Sequence, residues 1–526
     1  MLLIQESVAF ALAVLLFRLL LSTARRIQRS RKAQRLGCKP VRSPDKNDPF
    51  RWRILNHLRK AKADRMIPVQ AGLDMDAVGE NPHTVQRQLP LTSLISTRDP
   101  ENIKTILATQ VSHWELGEIR RGIMSNYVGT GLLTNEGQAW KHSRSRVRPQ
   151  FSQVSVSNLA LYDRHAQELL LKLVPSTDGW TRTTDLQPLF FNLTLDVVTE
   201  FFYGQSVHSQ NPVAQAALAG PGNTGPPNGE IFTACIDVAT DWVASMSVLG
   251  KWYKFAPARR FKQSRAKIFE LVDWYVVKAL QRVKEKSSTE PTDSSSFVLL
   301  DELAKNTDDK IWLRNETLGL LTGGRSTSAA LLGWLFFYLA RQPSLYHKLR
   351  TSVLEEFGTE SKARQFTVPQ LRASRYLKSC IYEALRLGSP AHTSVRSAAR
   401  DTTLPRGGGP EGKDPIYIPK GTLVTLNVFN LHHREDIWGQ DVNEFKPERW
   451  DQFDRGWEFL PFGGGPRACI GRDFALNEAS LVVVRLLQRF DDVKLMDNTG
   501  RILYDAAVIN KCGNGVHVRL HHAESI

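Results

Sequence analysis

Apolar residues recur near a 3.6-residue period over 186–202, 231–249, 259–284 and 371–387, which predicts amphipathic helices there. Residues 316–340 depart from that pattern: they are nearly all apolar and long enough to be mistaken for a membrane span. Their middle, Gly323-Gly-Arg-Ser-Thr-Ser328, is polar, which a lipid-facing helix tolerates poorly. A long helix through the centre of a folded body accounts for the stretch better. Strand-like material is sparser. Residues 415–418 and 422–427, separated by Pro419-Lys-Gly421, predict a small hairpin, and Ile502, Leu503 and 516–520 predict further strands. The expected fold is mainly α with small β-sheets.

The first residues carry a different signal. Residues 8–17 are an unbroken apolar run, and Leu19-Leu20-Leu21 extends it past Arg18. Residues 2–22 supply about the 20 positions a spanning helix needs. Arg18 costs about 2.5–3.5 kcal/mol at mid-bilayer and less where it snorkels towards an interface. Gln5 and Glu6 lie near the start, and Arg25, Arg26, Arg29, Arg31, Lys32 and Arg35 follow the run. The positive-inside rule then keeps the following domain cytosolic. Ser22-Thr-Ala24 resembles a signal cleavage site, but no basic segment precedes the run, so an anchor is expected instead. The expected organisation is a membrane anchor over 1–24, a basic, Pro-containing linker over 25–49 with Pro40, Pro44 and Pro49, and one catalytic domain over 50–526. Breaker-rich loops are expected at 220–229 and 287–296.

Composition narrows the function classes. With 42% apolar and 23% charged residues the chain is ordinary for a globular protein. Cys38, Cys235, Cys380, Cys469 and Cys512 form no C-x-x-C pair and no regular spacing. That argues against a disulfide framework or a zinc site and fits a reducing compartment. The net charge of +16, from 69 Lys and Arg against 53 Asp and Glu, suits an anionic membrane surface and an acidic partner. No nucleic-acid motif accompanies it.

The chemistry concentrates in Phe462-Gly-Gly-Gly465-Pro-Arg467-Ala-Cys469-Ile-Gly471, which runs straight into the helix-like Asp473-Phe-Ala-Leu-Asn-Glu478. A glycine-rich loop can bring its backbone close to a flat ligand and reach dihedrals a side chain forbids. Amides and the positive end of the following helix favour a thiolate. Phe462, Gly465, Arg467, Cys469 and Gly471 resemble the haem-loop signature of the cytochrome P450 family at every specified position. Glu383-Ala-Leu-Arg386, which puts both charges on one helix face, and Phe445-Lys-Pro447-Glu448-Arg449-Trp450 resemble that family's ionic triad. Trp140-Lys-His-Ser-Arg144 is similar to its W-x-x-x-R haem-propionate helix, and Arg396 takes a further propionate-binding position.

The resemblance, from about Gly37 onward, implies a P450 fold and haem b ligated axially by the thiolate of Cys469. Glu383, Arg386 and Arg449 are implied as scaffold. Thr327 is implied as the proton-relay threonine; beside it Ser326 stands where the family usually has an acid. An alcohol moves protons at neutral pH less well than a carboxylate. The implied activity is monooxygenation of a lipophilic substrate with O2 and electrons from NADPH–cytochrome P450 reductase, with cytochrome b5 as a further donor. The implied setting is the endoplasmic reticulum membrane, crossed once, with the catalytic domain in the cytosol. Arg148-Pro-Gln-Phe151, Asp185-Leu-Gln-Pro-Leu-Phe-Phe191 and Phe459-Leu-Pro-Phe462 are similar to the fungal microsomal branch that hydroxylates n-alkanes and fatty acids. In that branch the product forms at or near the chain terminus, with pocket walls at 119–128, 389–395 and 506–507. A tailoring oxidase of terpenoid or polyketide metabolism shares this frame. Ser326 also keeps open a reductase-independent peroxygenase or isomerase, and a non-catalytic haem binder is the remaining alternative.

Overall fold

The computed structural model describes residues 2–43, 52–79, 82–88, 93–152, 155–211, 213, 229–286, 297–362, 364–454 and 456–524. Pro44, Pro49 and the loops expected at 220–229 (Gly229 apart) and 287–296 lie outside them. The N-terminal helix α1 spans Leu2–Arg35. The helices that build the site follow in chain order: α2 (Glu118–Val128), α3 (Gly137–Val147), α4 (Leu159–Leu170), α5 (Leu186–Tyr203), α6 (Gly229–Leu249), α7 (Arg259–Lys286), α8 (Lys310–Arg341), α9 (Arg375–Gly388) and α10 (Arg472–Arg489). Short strands lie between and after them: β1 (Thr84–Gln88), β2 (Ser93–Thr97), β3 (Trp114–Glu115), β4 (Thr184–Asp185), β5 (Ser394–Ala398), β6 (Thr402–Gly408), β7 (Asp414–Ile418), β8 (Leu423–Leu426), β9 (Phe490–Leu495), β10 (Tyr504–Ala506), β11 (Asn510–Cys512) and β12 (His517–His522).

The chain divides into two compact units. The smaller holds residues 1–52, 72–117 and 395–426, the larger 53–71, 118–394 and 427–526. In the smaller unit β1-β2-β8-β5-β3 form one sheet and β6-β7 a separate pair. The hairpin expected over 415–427 is therefore not formed. β7 pairs antiparallel with β6, while β8 pairs in parallel with β2. Gly421, at φ +81, turns the chain between them and donates its amide to Ala398, which commits the next residues to the larger sheet. Helix α1 runs on through the basic stretch to Arg35, and Lys32 ion-pairs with Asp401 at 2.6 Å. Phe10, Leu16, Phe17 and Leu20 stand exposed on it.

The larger unit is built around α8, which borders α5 most extensively and also α9 and α10. Asp309 caps its start by accepting the Ile311 and Trp312 amides. Residues 328–340 are buried without interruption, so the apolar stretch is the expected central helix. Fully buried Trp334 donates Nε1 to the Asn510 carbonyl at 3.1 Å. Its ring occupies the space that a Cβ on Gly388 would need, 2.3 Å away. α5 begins at Asp185, whose side chain accepts the Gln187 amide, and ends at left-handed Gly204. The helix expected over 371–387 is broken: Val368–Ala373 forms one short helix and α9 starts at Arg375. Ser374, at ψ 104, leaves helical geometry between them.

Among the described residues, one helical stretch is long and apolar enough to cross a membrane, Gly229–Phe255. Its buried Phe232, Ile236, Ala239, Val243 and Met246 recur at helical spacing, as for a helix packed on a folded body. Trp252 and Phe255 near its end are exposed.

Candidate active site

The loop before α10 is shaped by its glycines. Gly463 and Gly465 sit at φ +67 and +66, where a side chain is strained, and a Cβ on Gly464 would meet the Trp457 ring at 2.7 Å. The loop is pinned by Gly463 N–H to Leu460 O at 3.1 Å and Ala468 N–H to Gly465 O at 3.0 Å. Cys469 N–H donates to Phe462 O at 2.9 Å. Gly471 then starts α10, its carbonyl accepting the Ala475 amide at 2.9 Å. Of the five cysteines Cys469 alone is exposed. Surrounding protein still desolvates its thiol and pushes its pKa up, against the pull of the Gly471 amide, Arg144 and Arg472. The loop alone therefore does not make the thiolate; a coordinated cation is needed to complete the ionisation.

Beside the loop, α3 presents Trp140 and Arg144 one turn apart. The Arg467 guanidinium lies 4.5 Å and that of Arg144 5.7 Å from the Trp140 ring. Arg144 donates to Ala468 O at 3.2 Å and Arg467 to Asn135 O at 2.8 Å. Burial, and then the positive charges of Arg120 and Arg144, hold Arg467 down at about 10; Glu136 opposes them. Burial also depresses Arg120. Glu136 is itself held by Arg121 at 2.8 Å. Three guanidiniums thus gather around one shared carboxylate, a donor set suited to an anionic ligand. Arg120 was not singled out from sequence; it falls inside the stretch expected as pocket wall. Arg396 stands on β5 of the smaller unit, with Nη1 on the Val395 carbonyl at 2.9 Å.

The triad residues meet in full. Glu383 and Arg386 are completely buried and doubly bonded, at 3.0 and 2.8 Å. Arg449 donates Nε to Glu383 at 2.8 Å, and the Lys446 amide and Trp450 indole donate to the same carboxylate. Arg386 also donates to the carbonyls of His432 and Val442, and Arg449 to Asp441 and Trp438 O. A buried charge survives when every lone pair and proton is used. Trp450, Asp441 and His432 had no separable signal in the sequence.

On α8, Thr327 is half-buried and donates its hydroxyl to Gly323 O at 2.7 Å. Nothing lies within 4 Å of where a Gly323 Cβ would be. Ser326 is buried; adjacent helical residues do not face each other, so it cannot share Thr327's outlook. Buried Arg325 pairs with Asp237 of α6 at 2.9 Å. Elsewhere the ligand atoms of His165, Glu168 and Asp196 lie within 4.8 Å of one another. Both His165 nitrogens are engaged by Glu168 and Glu200, and Asp196 by the Ser209 and Gln210 amides, so this is an ion-pair network.

The cytochrome P450 family model matches residues 88–506. The chain belongs to the cytochrome P450 family. Among its relatives is a cytochrome P450 monooxygenase, g430, of Fusarium sp., 39% identical over 498 residues, covering 93% of this chain and 85% of the relative. Cytochrome P450 52A13 of Debaryomyces hansenii is 39% identical over 408 residues, 77% of each chain. Cytochrome P450 52-M1 of Starmerella bombicola is 36% identical over 474 residues, covering 88% and 87%. The chain is accordingly an oxidoreductase of the P450 monooxygenase class, and its prosthetic group is haem held by a cysteine thiolate. The residues present fit that group: one exposed cysteine on a glycine loop, and guanidiniums clustered beside it for the carboxylates.

Proposed function

We propose that this P450 hydroxylates a lipophilic, chain-like substrate, a fatty acid or n-alkane, at or near its terminal methyl. O2 is the oxidant, and NADPH–cytochrome P450 reductase, with cytochrome b5 as a further donor, supplies the electrons. The observation that carries the reading is exposed Cys469 on its glycine loop beside the Arg467, Arg144 and Trp140 cluster. Cys469 is the proposed axial ligand, and Trp140, Arg144, Arg396 and Arg467, joined by Arg120, the proposed propionate donors. Bound haem supplies oxygen activation and insertion into unactivated C–H bonds. The chain's own residues do the rest. The propionate donors fix the orientation of the group, and the Glu383, Arg386 and Arg449 network keeps its loop rigid. Thr327 offers a hydroxyl on the central helix that can pass a proton. The substrate branch follows from the likeness of residues 140–151, 185–191, 320–328 and 459–462 to alkane and fatty-acid hydroxylases. The same likeness supports an anchor over 1–24 in the endoplasmic reticulum membrane with the catalytic body in the cytosol.

Two measurements test this. The reduced protein under carbon monoxide is expected to show the absorbance signature of thiolate ligation, lost in Cys469→Ser. Substrate-binding difference spectra are expected for fatty acids and alkanes; a response to bulky polycyclic terpenoids alone overturns the chain-like assignment in favour of a tailoring oxidase. Ser326 favours a second reading, a reductase-independent peroxygenase or isomerase, and product formed without NADPH and reductase would establish it.

A further inference from the structure

Glu478 lies on α10, at its contact with α8, and is wholly buried. Neither of its carboxyl oxygens has a hydrogen-bond partner, and the hydroxyl of buried Ser328 on α8 has none either. Ser328 is nevertheless near enough to favour the carboxylate, as does the charge of His165 on α4. Tyr162 of α4 faces the same carboxyl, and Arg372, from the short helix Val368–Ala373, faces Tyr162 and bonds Asn477. A structural role would be served better by an apolar side chain, because a buried carboxyl without partners costs free energy and contributes no bond. A group that must hold and release a proton needs that environment.

We propose that the Glu478 carboxyl is the internal proton donor for oxygen reduction, passing its proton to α8 at the Ser328 hydroxyl and replacing the acid absent at position 326. The inference rests on the monooxygenase reading. Hydroxylation of a C–H bond by O2 consumes two electrons, supplied by the reductase, and two protons, and releases one water. In each transfer the Glu478 O–H bond breaks, Ser328 Oγ takes that proton and gives up its own towards the Thr327 segment, and a carboxylate remains. His165 reprotonates it. The imidazole is held at about 9 by Glu168 and Glu200, so it carries a proton at neutral pH, and the partly exposed Glu200 renews it from solvent. Burial pushes Glu478 up to about 8, against the opposing effects of Ser328 and His165. That value keeps it protonated yet close to the working pH, where a general acid is most effective.

The test uses the full-chain holoenzyme. Infrared titration without turnover is expected to show a protonated carboxyl that ionises near about pH 8, missing in Glu478→Gln and kept in Glu316→Gln, a second buried carboxyl. Glu478→Gln is neutral and of the same shape, so the carbon monoxide spectrum and melting temperature should hold. Coupling of NADPH use to product should fall about tenfold, with Glu478→Asp restoring part of it. Ser328→Ala, which leaves the carboxyl in place, should lower coupling in the same direction. No ionisation assignable to Glu478, or unchanged coupling in both Glu478→Gln and Ser328→Ala, overturns the proposal. If the unmodified protein makes no product with reductase, the functional reading fails, while the infrared titration still judges Glu478.

Discussion

The amide of Leu460, at the start of the haem loop, donates to Nε2 of His432 at 2.9 Å. The other ring nitrogen meets Ser389 Oγ at 2.9 Å, and the His432 carbonyl accepts from Arg386. One neutral imidazole therefore ties the loop to the buried triad. His432→Phe leaves the Leu460 amide without its acceptor, at a cost of about 1–3 kcal/mol. Chemical denaturation should show that loss, together with a weaker thiolate signature under carbon monoxide.

Glu383 is the most heavily used carboxylate of the larger unit's core, with donors from Arg386, Arg449, Trp450 and the Lys446 amide. Arg449→Met removes one cation from it and is expected to cost about 3–5 kcal/mol. Trp450→Phe removes a single charge-assisted bond and should cost about 1.5–3 kcal/mol. Denaturation midpoints should rank the two in that order, with haem content of the purified protein falling in parallel.

Arg120 and Arg467 repel one another. Arg120→Gln should therefore leave the haem-free protein as stable or more stable, while speeding haem loss from the holoprotein. Transfer of haem to an acceptor apoprotein measures the second effect, and denaturant melts of the apoprotein the first. A variant that weakened both forms equally would mark Arg120 as merely structural.

Stability should depend on pH in two windows. Burial pushes His432 well down, His433 to about 3 and His392 to about 4. A histidine neutral in the fold contributes most above its unfolded pKa, so stability should fall as pH drops through about 6.5. His165 is shifted the other way, from 6.5 to about 9, by its hydrogen bonds to Glu168 and Glu200 working against burial. Its contribution is complete below about 6.5 and is lost as pH rises through about 9. His165→Gln should flatten the alkaline limb of a melting-temperature profile and leave the acid limb in place.

Ser326→Asp restores a carboxyl to the residue before Thr327. If proton delivery limits turnover, coupling of NADPH use to product should rise, and unchanged coupling would place the limit elsewhere. Because position 326 is buried, the variant should also melt lower.

The haem loop was legible in the sequence because its chemistry is contiguous. Positive-φ glycines, a cysteine and a helix start within ten residues have few other uses. The central helix was legible for a related reason: an apolar face all around leaves only burial. The region around 415–427 was not, since two adjacent strands suggest a hairpin whether or not they pair. Nor was Ser374, where one ψ angle splits an otherwise continuous apolar period.

What the chain alone determined, then, is everything set by near neighbours: the thiol's loop, the helix periods, and the E-x-x-R pair one turn apart. Only the tertiary structure decided which distant groups share a space. It brought Arg120 to Arg467, Leu460 to His432, and Glu478 to Ser328. The physical reason is that backbone geometry fixes distances over a few residues. Contacts across a hundred or more are set by how buried faces pack, and no local pattern encodes that choice.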